Sequence, residues 1–105
     1  MVDAEAHTTE SVLAAIKAFT NLYFGWDDSN AAPISPIAIE TACSIVKASI
    51  VPPTAVPRYD GGVKLDWHVN GVDLEIWIHH DGVISYILEQ ERAHLATVIM
   101  LLNNF

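Results

Sequence analysis

The clearest alternation of hydrophobic and polar positions runs from Gly61 to Glu89. At its centre is Asn70-Gly71, the pair best suited to a type I′ hairpin turn, which needs positive φ at both residues. A two-residue loop there sets Val69 against Val72, Trp67 against Leu74, Leu65 against Ile76 and Val63 against Ile78, all apolar. The other face pairs His68 with Asp73, Asp66 with Glu75 and Lys64 with Trp77. A slip of one residue would exchange the two faces, so the register is strongly specified. A second turn holds Asp81-Gly82. A two-residue loop would place Ser85 opposite Ile78. A three-residue loop, His80-Asp81-Gly82 with a left-handed Gly82, instead pairs Ile78 with Ile84, Ile76 with Tyr86 and Leu74 with Leu88, and is preferred because it keeps one face apolar. The pattern therefore predicts a three-stranded antiparallel meander.

Upstream the period changes to that of a helix. Val12, Leu13, Ile16, Phe19 and Tyr23 recur at helical spacing. Thr8 or Thr9 caps the start and Glu10 favours the first turn, predicting a helix over Glu10–Leu22. A loop follows over Phe24–Pro33. Ser35 is a good N-cap and Pro36 suits the first helical position, where its missing N–H is harmless. They open a second helix over Ile37–Ser49, with Ile39, Ala42, Cys43 and Val46 along one stripe. Pro52-Pro53 ends it. Ala55–Tyr59 adds a short extended segment, held to an edge by Pro57. The two helices are expected to cover the Val63/Leu65/Trp67/Leu74/Ile76/Ile78/Ile84/Tyr86 face. A third helix is predicted from Glu89–Glu91 to about Asn103. Leu95, Val98, Ile99 and Leu102 form its stripe, with Thr97, Met100 and Leu101 elsewhere on the wheel, so it is apolar over most of its circumference and must be buried or paired. The fold class is α+β: two N-terminal helices packed on a three- to four-stranded antiparallel β-meander, with a C-terminal helix, in one domain over residues 1–105. Residues 1–7 carry no pattern and are expected to fray.

Composition supports a packed core: 51% of the 105 residues are hydrophobic and mean hydropathy is +0.30. A domain of this size buries only roughly 60–70% of its unfolded surface, so a partner or second copy would add stability. The net charge of −8, with 13 acidic against 5 basic residues, disfavours direct binding to nucleic acid and permits a basic protein partner. The single cysteine excludes an internal disulfide and fits a reducing compartment. The opening MVDAEAHTTE has acids where a signal peptide needs a basic region and an apolar run. The apolar stretch Leu95–Leu102 falls well short of the roughly 20 residues needed to cross a bilayer. A cytoplasmic protein without membrane contact is expected.

No catalytic, metal or cofactor pattern emerges. His68 and His79 share the polar face but lie near opposite ends of the middle strand, roughly 17–20 Å apart by strand rise and too far to share an ion. The adjacent His79 and His80 point to opposite sides. Asp66 and Glu75 face each other, and with His68 they could serve a small ligand or acid–base chemistry, but no nucleophile or oxyanion donor accompanies them. Cys43 falls on an apolar stripe as a packed thiol. The glycines lack phosphate-loop spacing. Two aromatic positions stand out. Trp26, beside Asp27 and Asp28, either plugs the end of the core between the helices or forms an aromatic anchor in an acidic loop. Trp77 lies on the nominally solvent face of the middle strand near Val83 and Ile87, so that face also calls for cover. The candidate partner-binding residues are Trp26, Asp27, Asp28, Trp77, Val83, Ile87, Met100 and Leu101.

The order Gly25-Trp26-Asp27, Pro33-Ile34-Ser35, Asp60-Gly61-Gly62 with Leu65-Asp66-Trp67, Leu74-Glu75-Ile76, and Asp81-Gly82 with Tyr86 resembles a widespread group of small bacterial proteins of uncharacterised function. That group carries a GWDGYGA–P–S segment, then P–DGG–L–W and L–I–DG–Y. The likeness covers roughly Phe24–Tyr86 and departs where Asp28-Ser29-Asn30 replace Gly-Tyr-Gly. It implies a shared fold and, softly, an accessory product of a phage or mobile-element locus. The expected function is a small acidic, non-enzymatic interaction module of the antitoxin, immunity or inhibitor kind, acting on a protein partner and forming a homodimer. The alternatives are a ligand binder or enzyme using the Asp66/His68/Glu75 face, and an acidic DNA mimic.

Overall fold

The structure, a computed structural model, describes residues 8–90. The expected start of the C-terminal helix is corrected: Glu89 and Gln90 belong to the last strand, paired with Asp73 and Val72, and the rest of that predicted helix, with Met100 and Leu101, lies outside the described residues, as does the segment 1–7. Helix α1 spans Thr9–Ala18 and tightens into a 3-10 turn over Phe19–Asn21. Helix α2 spans Pro36–Ala48. The strands β1 (Thr54–Pro57), β2 (Val63–Val69), β3 (Val72–Ile78) and β4 (Ile84–Gln90) form one antiparallel sheet in the order β1-β2-β3-β4. The fold is α+β.

Both helices start on side-chain caps. Thr8 Oγ1 accepts from Ser11 N at 3.0 Å, and Ser11 Oγ accepts from Thr8 N at 2.9 Å, a reciprocal box with Ser in place of the usual Glu. Ser35 Oγ accepts from Ala38 N at 3.1 Å and donates to His80 O at 2.6 Å. One hydroxyl thus caps α2 and ties it to the β3–β4 turn.

The first hairpin has the register its apolar pattern predicts, from Val69↔Val72 to Val63↔Ile78. Asn70 (φ 51°) and Gly71 (φ 80°) are both left-handed, as a type I′ turn requires. The second hairpin also follows the three-residue solution: Ile78↔Ile84, Ile76↔Tyr86 and Leu74↔Leu88, with Gly82 at φ 90°. His79 N donates to Val83 O at 2.8 Å and closes the loop.

Val63, Leu65, Trp67, Val72, Leu74, Ile76 and Ile78 bury against Val12 and Ile16 of α1 and Ala38, Ala42, Cys43 and Val46 of α2. Alanines on the inner face of α2 let it sit close to the strands. Trp67 Nε1 donates to Val51 O at 2.7 Å, so the buried indole leaves no orphan donor. The helical layer is offset: α1 lies on β1, and α2 on β2 and β3. Here the structure corrects the expectation from sequence. Ile84 and Tyr86 belong to the apolar face by register, yet they are 47% and 66% exposed, because neither helix extends over β4.

Candidate functional site

The loops converge at one pole, and the residues there hold one another. Trp26 Nε1 donates to Ala32 O at 2.7 Å, and its ring packs against the core. Asp27 Oδ1 accepts from Ser29 N (3.0 Å) and Ala31 N (3.2 Å), shaping the loop from within. Asp28 is exposed at positive φ, 64°, where aspartate is tolerated. Ala32 N donates to Tyr59 O at 2.7 Å, and Ser35 N to Gly61 O at 2.9 Å. Asp60 Oδ1 accepts from Gly62 N at 3.2 Å. Gly61, at φ 92°, has Pro33 O and His80 Cβ so near that an added Cβ would stand 3.1 and 3.3 Å from them. The motif residues Trp26, Asp27, Ser35, Asp60, Gly61 and Gly62 are thus taken up in mutual contacts that splice three loops. Tyr23, Phe24 and Tyr59 remain well exposed beside these loops.

The outer sheet face reads as rows across the strands. Val56, Lys64, Trp77 and Ser85 form one; Thr54, Asp66, Glu75 and Ile87 the next; His68, Asp73 and Glu89 the third. Trp77 is half-buried, and its cover comes from the chain itself. The Arg58 guanidinium lies 4.0 Å from the Trp77 ring centroid, a cation–π stack. Trp77 Nε1 donates to Glu75 Oε1 at 2.9 Å. Arg58 also reaches Asp60 Oδ2 at 3.3 Å. Burial acts to raise the Asp60 pKa, but the Arg58 guanidinium and the Gly62 N–H outweigh it and hold the carboxyl below its ordinary value. Arg58 was legible in the sequence only as one of five scattered cations, and its role as the lid on Trp77 depends on a turn that no spacing rule specifies.

Acids on this face are interleaved with cations. Lys64 Nζ stands 3.5 Å from Asp66 Oδ2, and His68 Nδ1 is 2.6 Å from Asp73 Oδ1. The Asp73 contact raises the His68 pKa above the ordinary imidazole value, against a small desolvation effect and with further help from the Asp66 and Glu75 charges. Asp66 opposes Glu75 in register, as the hairpin pattern requires. Asp66 Oδ1 is buried and accepts no hydrogen bond from a described residue. Asp66 and His68 border a half-open recess of about 240 Å³ together with Val51, Pro52 and Thr54. His79 instead meets Ser85 Oγ at 3.1 Å, apart from that recess. Among the described residues no group of three His, Cys, Asp or Glu is placed to hold a metal ion, and no helix is long and apolar enough to cross a membrane.

An exposed apolar strip lies on and beside β4. Val83 (58% exposed) and Ile87 (49%) join Ile84 and Tyr86, so apolar side chains emerge from both sheet faces. Among the described residues β4 is an edge strand, seven residues long, with no Pro, Lys or Arg. The opposite edge, β1, is blunted: four residues ending in Pro57. Val83 and Ile87 were singled out from sequence; Ile84 and Tyr86 were missed because their alternation is that of a core strand. Trp77 faces Ser85 across the β3–β4 pair, diagonal to Ile87, and so adjoins this strip on the outer face, whereas no described contact joins Trp26 to it.

Comparison with protein-family models, with curated proteins and with solved structures finds no match.

Proposed function

We propose that this chain is a small acidic, non-enzymatic protein-binding module, working in the cytoplasm in the manner of an antitoxin, immunity factor or inhibitor, and that β4 is its docking edge. One observation carries the reading: among the described residues β4 is a seven-residue edge strand without Pro, Lys or Arg, with exposed apolar side chains on both faces, Ile84 and Tyr86 on one and Ile87, between Ser85 and Glu89, on the other. An edge of this kind pairs readily with an added strand, whose main-chain hydrogen bonds supply affinity while side chains on alternate faces supply selectivity. The chain's net charge of −8 favours a basic partner. Homodimerisation uses the same edge. A two-fold axis at Ile87 would oppose Tyr86 to Leu88 and Ser85 to Glu89, with no like charges facing each other.

The test compares the chain with Tyr86→Lys and Ile87→Lys, which place charge on the exposed strip at little cost to the monomer. Light scattering at micromolar concentration should give a dimer for the parent and a monomer for the variants; a monomeric parent rejects self-association. Pull-down from the native host should lose its specific partner with either variant, and retention of that partner by both rejects β4 as the docking edge.

The acid-lined face supports a second reading, a small-ligand site at the Asp66/His68 recess, favoured by the unpartnered Asp66 Oδ1. Phosphate mimicry is less supported, since Lys64, Arg58 and His68 break any continuous ridge of acids on that face.

A further inference from the structure

The outward side of α2 borders a half-open groove of about 560 Å³, within the roughly 300–1,000 Å³ typical of ligand sites. Its wall follows a single stripe of α2: Pro36, then Ile39 and Glu40, then Cys43 and Ser44, then Lys47. That stripe is about 16 Å long at the helical rise of ~1.5 Å per residue. The C-terminal end of α1 and the turn after it supply Lys17 and Thr20. Ile34 and Cys43 are nearly buried and give the groove an apolar floor.

The distribution of cations makes the groove distinctive. The chain has only five Lys and Arg residues. Arg58 is engaged by Asp60 and Lys64 by Asp66, and Arg92 lies outside the described residues. The other two, Lys17 and Lys47, both border this groove, and neither is within ion-pair distance of a described carboxylate. Glu40 is the one acid among the lining residues, so a strongly acidic molecule presents a locally positive groove. Thr20 and Ser44 add hydroxyl donors beside the lysines.

We infer that this groove binds an anionic amphiphile, an aliphatic chain bearing a carboxylate. The tail lies on Ile34, Ile39 and Cys43; the head is drawn by Lys17 and Lys47 and can accept from the hydroxyls. Net charge alone would repel such a ligand, so recognition depends on those two lysines. The inference is independent of β4 and its partner.

The test uses the full chain with submicellar decanoate, decanol and decyltrimethylammonium, followed by calorimetry and amide NMR. One decanoate per chain is expected, with decanol about tenfold weaker, the scale of two exposed ion pairs, and the ammonium weaker still. Lys17→Gln/Lys47→Gln should abolish the preference for decanoate over decanol while leaving thermal unfolding within a few degrees. Bound decanoate should also slow alkylation of Cys43, the single cysteine and therefore a reporter within the groove. The proposal is overturned if decanoate does not bind, if decanol binds equally well, or if saturating decanoate leaves Cys43 alkylation unchanged.

Discussion

Gly62→Ala tests how tightly the loops are spliced to the sheet. Gly62 does not have positive φ, so alanine there meets no backbone penalty of that kind. The obstacle is space: an added Cβ would sit 2.3 Å from Ile78 O, with His79 Cα and Ile78 C at 3.3 Å. All three are backbone atoms, so no side chain can rotate away. Carbon–oxygen contacts of about 3.3–3.6 Å mean that the loop and β3 must part by roughly 1 Å. That movement strikes the Val63↔Ile78 end of the central hairpin, and it also disturbs the Arg58 N→Gly62 O bond (2.9 Å) and the Asp60 clasp. Overpacking costs about 1–3 kcal/mol and a weakened hydrogen bond about 0.5–1.5, giving about 2–4 kcal/mol together. Against a total stability of about 5–15 kcal/mol this is a large share. It corresponds to a fall in melting temperature of roughly 10–25 °C for a chain of this length. Urea denaturation with a fixed m-value measures it. Gly71→Ala is the control: Gly71 is exposed and left-handed at φ 80°, so its cost is conformational alone, about 1–2 kcal/mol. If Gly62→Ala loses less than about 1 kcal/mol, or less than Gly71→Ala, the close approach of loop to strand is refuted.

Asp73→Asn should bring the His68 pKa down toward 6.5, read from imidazole shifts in an NMR titration. Because folding raises this pKa, the pair's contribution is full below about pH 6.5 and is lost as pH rises through the higher native value; the variant should lose that slope, and an unchanged pKa would reject the pairing. The effect on stability should be only a few tenths of a kcal/mol, since both side chains are more than half exposed. A double-mutant cycle on Arg58→Met and Trp77→Leu should give a coupling of about 0.5–2 kcal/mol from the stacked guanidinium, and additive losses would show that Arg58 does not cover Trp77.

The sheet was legible because its information is local. Asn70-Gly71 fixes one turn, the alternation fixes the face, and the choice at Asp81-Gly82 follows from keeping Ile84 opposite Ile78. The helix starts were equally readable from Thr8 and Ser35-Pro36. What the alternation could not convey is how far the helices reach. Ile84 and Tyr86 have the pattern of core residues, and only the lateral offset of α1 and α2 leaves them exposed. Trp77 was recognisable as needing cover, but the cover arrives from Arg58 by way of the turn after β1. The groove was not visible either, because Lys17 and Lys47 are thirty positions apart and meet it only when α1 packs on α2.

The Ser35 hydroxyl has a consequence for the order of folding. Its bond to His80 O joins residues 45 positions apart, whereas the β2–β3–β4 meander closes through two short turns. Closing a flexible 45-residue loop costs roughly 3 kcal/mol in chain entropy, so that clasp is unprofitable while the intervening segment is unstructured. Once the meander stands, residues 63–79 of that segment are already ordered, and the shorter loop left to close costs roughly 0.4 kcal/mol less. The rate-limiting event is then expected to be hairpin formation about Asn70-Gly71, with α2 docking afterwards. Ser35→Ala should accordingly speed unfolding and leave the refolding rate almost unchanged.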